Sequence, residues 1–196
     1  MLFRSVVLAW PVVRGVPWRT VRYDLGFGTG RGLIADVLSG GVTYAAACVF
    51  LGAGIILTVV LMAVTKRLGI ETETPSHPLA PFVARSGLWD RVQALLVASV
   101  LAPIIEETMF RGFLYRHLRE ATATGGRVLS VLVSSLAVCF VFAVIHPQGW
   151  FGVPPLMGLA FAFCLAREIC GTLIPAMVAH AIQNTAVTLL VILAAS

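Results

Sequence analysis

The chain has 196 residues, one domain's worth, of which 59% are apolar and only 12% charged. That charged share is about half the usual one, and with a mean hydropathy of +0.94 it excludes an ordinary water-soluble fold and indicates a polytopic membrane protein. The net charge of +5 is scattered between apolar runs, where it sets topology and meets anionic headgroups rather than nucleic acid.

Residues 1–18 hold a short apolar run, Ser5 to Val13, broken by Trp10-Pro11. It lacks a small-residue cleavage site and reads as an interfacial segment. Residues 19–36, with Arg19, Arg22, Arg31 and several glycines, read as a basic, irregular approach to the membrane. The first span is expected from Val37 to Val64, where Gly40, Gly41, Gly52 and Gly54 would let another helix come close. A hydrophilic loop over 68–87 follows, turn-rich because of Pro75 and Pro78, with His77 solvated and inert.

The second span, Val92 to Leu118, contains Glu106-Glu107 and Arg111. Ionised side chains at bilayer depth are costly, so they face a protein interior or a watery cavity and mark function. On a helix Glu107 and Arg111 are i,i+4, acid first, and can pair. Glu106 points about 100° away and stays free. The third span, 128–145, stops at His146-Pro147, since proline cannot continue a helix. The fourth apolar run, 151–166, carries Pro154-Pro155 near its start and reads as a partial or broken crossing. The last span, 172–194, carries His180 and Asn184, again i,i+4 on one face. Cys48, Cys139, Cys164 and Cys170 have no CxxC spacing and read as small buried hydrophobes. Nine Lys and Arg in the segments 1–36, 116–127 and 167–171, against four in 65–91, favour an inside N-terminus and an outside C-terminus.

The fold class is therefore all-α, a polytopic transmembrane bundle of about five apolar spans plus a short N-terminal segment. It divides into a basic interfacial segment (1–36), a first transmembrane helix with its polar loop (37–87) and a core (88–196). Taken singly, His146 as a helix-end cap or His180-Asn184 as an interhelical hydrogen-bonding pair is as good a reading as a functional one. Taken together, two carboxylates, two histidines and an amide on separate apolar spans are the groups that a water-activating site requires. Glu106 would serve as general base near neutral pH and hold a water with His146. His180 and Asn184 would steady the oxyanion, and Phe142, one turn before His146, would wall the pocket.

Glu106-Glu107-x-x-x-Arg111, Phe142-x-x-x-His146 and His180-x-x-x-Asn184 resemble, in that order, the motifs of the CPBP family of intramembrane proteases. That family includes the type II CAAX prenyl endopeptidases and the bacterial bacteriocin-processing and self-immunity (ABI) proteins. The resemblance covers roughly residues 88–194. It implies an intramembrane catalytic cavity, glutamate-dependent hydrolysis of a peptide or membrane-protein substrate, and a place in a bacterial cell membrane. By position it makes Glu106, His146, His180 and Asn184 catalytic, and Glu107, Arg111 and Phe142 supporting. No metal or other cofactor is expected, although Glu, His and His also form a known catalytic zinc set, so a zinc protease stays as a second reading. A non-catalytic immunity or interaction protein using the same cavity is a third, and a transporter a weaker fourth.

Overall fold

The computed structural model describes residues 11–70 and 80–195. Every regular element among the described residues is helical. The expectations placed on residues 1–10 and on Glu71 to Pro78, His77 included, fall outside them. Among the described residues five helices are long and apolar enough to span a membrane, so the all-α polytopic reading holds.

Residues 19–36 depart from the expected irregular approach. Trp18–Leu25 form a two-turn helix, α1. Pro17 precedes it, and Gly26 closes it at φ +87°, a left-handed position suited to glycine. Helix α2, Leu33–Arg67, is 35 residues long, well beyond the ~20 needed to cross. Asp36, fully buried in its first turn, accepts the Gly30 backbone N–H at 2.8 Å and ties the preceding loop to the helix. A single turn over Ala80–Val83 leads to α3, which runs from Leu88 to Ala121.

Helix α3 is not regular. Two π-helical stretches, Val97–Leu101 and Thr108–Leu114, bracket the α-helical turn Ala102–Glu107. π-bulges inside α-helices frequently sit at functional sites. Helix α4 spans Arg127–Val144 and α6 spans Ile174–Ala194. The fourth run is not a broken crossing: after a 3₁₀ turn at Trp150–Gly152, helix α5 runs unbroken from Val153 to Cys170. Pro154-Pro155 occupy its first turn, where the missing N–H groups would have no intrahelical partner anyway.

Helix α5 is central. One core cluster, with Phe110, Val138, Phe142 and Cys164, joins it to α3 and α4. A second, with Ala47, Phe163, Ala176 and Ala179, joins it to α2 and α6. The α2–α5 crossing is backbone on backbone. A Cβ on Gly54 would lie 2.5 Å from the Pro154 carbonyl, and one on Gly158 would collide with the Phe50 backbone. Of the four glycines expected to admit a neighbour, Gly40 (against Val178) and Gly54 do so. Gly41 and Gly52 face open space. Likewise only Cys139 and Cys164 are buried, whereas Cys48 is exposed on the outer face of α2.

Antiparallel alternation brings the basic segments to one end of the bundle. There Glu168 accepts from Arg119 Nε and Nη2 at 3.1 and 3.0 Å and from the Tyr115 hydroxyl at 3.1 Å. These contacts tie α3 to α5, and Arg127 joins them from α4 at 3.6 Å.

Candidate active site

The Glu107–Arg111 pair forms as the i,i+4 spacing requires, with Arg111 Nη1 3.0 Å from Glu107 Oε1 and both side chains fully buried. Arg111 Nη2 donates to the Ala160 carbonyl on α5 at 3.0 Å. Its guanidinium lies 4.9 Å from the Phe142 ring centroid and 5.2 Å from that of Phe163. The ion is thus pinned by a carboxylate, a carbonyl and two aromatic faces.

Glu107 has a second partner that the sequence did not suggest. Its Oε1 accepts from His180 Nδ1 at 2.8 Å, across from α3 to α6. With Nδ1 carrying the proton toward the carboxylate, Nε2 of a neutral His180 is left as a bare lone pair aimed the other way. Phe163 stacks on the same ring with centroids 5.4 Å apart. His146 is set by the same logic. Its Nδ1 lies 2.5 Å from the Phe142 carbonyl, which can only accept, so Nδ1 holds the proton and Nε2 of a neutral His146 is bare. That carbonyl sits in the last turn of α4, where helix carbonyls lack intrahelical partners.

Both Nε2 atoms converge on Glu106. Oε2 of Glu106 is 3.7 Å from His146 Nε2 and 3.8 Å from His180 Nε2. These distances exceed a hydrogen bond, and Oε2 is buried with no hydrogen-bond partner in the protein. The three residues line a cavity of about 330 Å³ between α3, α6 and the end of α4, lined also by Phe142 and Asn184. Residues scattered over three spans therefore share one cavity.

Asn184 makes a contact that its place in the sequence did not suggest. Its Nδ2 donates to the Ala98 carbonyl at 2.9 Å. The π turn explains why that carbonyl is free. The Ala102 N–H reaches back to Val97 instead, and the next residue, Pro103, has no N–H to offer. One of the two amide hydrogens of Asn184 thus secures α3 to α6, and the other remains for the cavity. Sequence reading also missed Gln148 and Gln183, which line the cavity. Oε1 of Gln148 is buried without a partner, and the Pro147-Gln148-Gly149 turn that carries it read simply as a helix stop.

Among the described residues, no three His, Cys, Asp or Glu side chains are spaced as ligands of one metal ion. The family model described as type II CAAX prenyl endopeptidase Rce1-like matches residues 88–186. The chain belongs to that family. The Rce1-like match runs from the start of α3 into α6 and takes in Glu106, Phe142, His146, His180 and Asn184, while Val187 and Thr188 of the cavity lining lie beyond it. Membership makes the chain a CAAX-protease-like membrane protein, in accord with its five apolar helices. Neither a curated protein nor a solved structure matches it.

Proposed function

We propose that this chain is an intramembrane endopeptidase that hydrolyses a peptide bond of a peptide or membrane-protein substrate with a water activated by Glu106. The observation that carries the reading is the buried, unpartnered Glu106 Oε2 held 3.7 and 3.8 Å from two histidine Nε2 atoms. A water seated among the three atoms would bond to each. Glu106 takes a proton from that water while His146 Nε2 accepts the other hydrogen, and the water oxygen attacks the carbonyl carbon. The tetrahedral intermediate then collapses, the C–N bond breaks, and Glu106 returns the proton to the leaving amine.

The geometry supports a part for His180 as well. Glu107 holds the Nδ1 side of the ring, which leaves His180 Nε2 turned toward Glu106 and placed to meet the oxyanion. The second Asn184 hydrogen is a donor to the same oxyanion. Glu107 and Arg111 then position His180, and Phe142 orients His146 through its carbonyl and ring.

One observation keeps zinc as the second reading: two bare Nε2 atoms and a carboxylate oxygen are the donor types of catalytic zinc sites. The test compares membranes of cells carrying the wild type or Glu106→Ala for peptides released, and repeats the purified reaction after exhaustive chelation. Product that requires Glu106 and survives chelation is the expected result. Activity lost to chelator and regained with zinc transfers the site to the metal reading. A Glu106→Ala variant with full biological function makes the cavity a binding site for a non-catalytic immunity or interaction protein.

A further inference from the structure

The basic end of the bundle holds a second cavity, of about 490 Å³, between the α1–α2 loop and the ends of α3 and α5. Arg116, Arg167 and Asp24 line it, together with a glycine-rich run through Gly26, Gly28 and Gly30. The two arginines differ in what answers their charge. Arg116 pairs with Asp24 at 3.0 Å and with Glu120 at 2.8 Å. Among the described residues Arg167 donates only to backbone carbonyls, those of Gly171 and Asp24. Its Nε is buried without a partner. Glu168, its neighbour in sequence, is engaged by Arg119, Arg127 and Tyr115. A half-buried guanidinium without a carboxylate partner among the described residues is costly unless an anion reaches it.

The loop is shaped around that guanidinium. A Cβ on Gly26 would lie 2.8 Å from Arg167 Cζ, and one on Gly30 would lie 2.7 Å from the Cys170 carbonyl. Gly28, by contrast, has open space where its Cβ would stand. Trp18 and Tyr23, 51% and 81% exposed, flank this end, and such residues anchor at headgroup level.

We infer that this cavity binds a phosphate group, with Arg167 as the principal partner and Arg116 beside it. A fork of guanidinium donors suits phosphate oxygens. The position at the helix ends fits the phosphodiester of an anionic phospholipid, and inorganic phosphate offers the same chemistry from solution. The site is separate from the glutamate cavity and does not depend on the proposed activity.

The test is native mass spectrometry of the full chain released from detergent containing dioleoylphosphatidylglycerol, dioleoylphosphatidylcholine or inorganic phosphate. The wild type retains the anionic lipid in preference to the zwitterionic one. Arg167→Gln lowers that retention roughly tenfold, the scale of one charged hydrogen-bonding partner, and Arg167→Lys recovers part of it. Gly28→Trp fills the cavity while leaving Arg167 in place, lowers retention similarly and decides the matter should Arg167→Gln fail to fold. Phosphate retained without lipid, and lost in these variants, supports the site and makes its source soluble. Equal retention by wild type and variants, equal retention of both lipids, or no retention of any probe overturns the inference.

Discussion

At the scale of the residue, Glu107 carries more than its place in the sequence suggests. Its Oε1 receives both Arg111 and His180, so one carboxylate neutralises a buried cation and fixes the tautomer of a histidine on another helix. The Arg111 contact was legible because i,i+4 spacing is local. The His180 contact was not, since it depends on the relative register of α3 and α6, 73 residues apart. The partner of Asn184 was equally hidden, because the Ala98 carbonyl is freed by a π turn ahead of Pro103 that hydropathy does not reveal. Removing Arg111 leaves Glu107 buried and uncompensated, so Arg111→Ala should destabilise the protein by roughly 3–5 kcal/mol. Thermal unfolding in detergent measures this, and an unchanged midpoint with normal expression would show that the pair has no such structural weight.

At the scale of the element, the chain was readable where periodicity and length decide and misread where proline and glycine do. Five spans were expected and five helices qualify. Pro154-Pro155 suggested an interruption, yet proline in a first turn begins a helix, and the backbone continues to Cys170. The Pro17 and Gly26 bounds of α1 were visible signals overshadowed by the arginines between them. Glycine content identified α2 as a packing helix, but which glycines touch a neighbour depends on a face that the sequence leaves open. Gly158, on α5, meets the Phe50 backbone of α2, which cannot give way, whereas Gly41 on α2 meets nothing. Gly158→Leu should therefore separate α2 from α5 and cost about 1–3 kcal/mol or more. Gly41→Leu should be neutral or slightly stabilising, by up to about 1 kcal/mol through helix propensity. Melting temperatures of the two variants check this, and equal effects would contradict the crossing described above.

At the scale of the whole molecule, function rests on holding incompatible groups together inside an apolar bundle. The order of the three motifs along the chain was enough to suggest that they meet. How they meet, with two imidazoles turned by Glu107 and the Phe142 carbonyl so that both Nε2 atoms confront Glu106, comes only from the packing of α3, α4 and α6. Family membership makes a peptide bond the expected target, and the arrangement supports Glu106 as the group that activates water. The most direct measurement is steady-state cleavage of a membrane peptide by purified wild type and Glu106→Gln, which keeps size and hydrogen bonding but removes the base. The account predicts a fall in kcat of about 10²-fold or more with KM little changed. Cleavage by Glu106→Gln at the wild-type rate would contradict it.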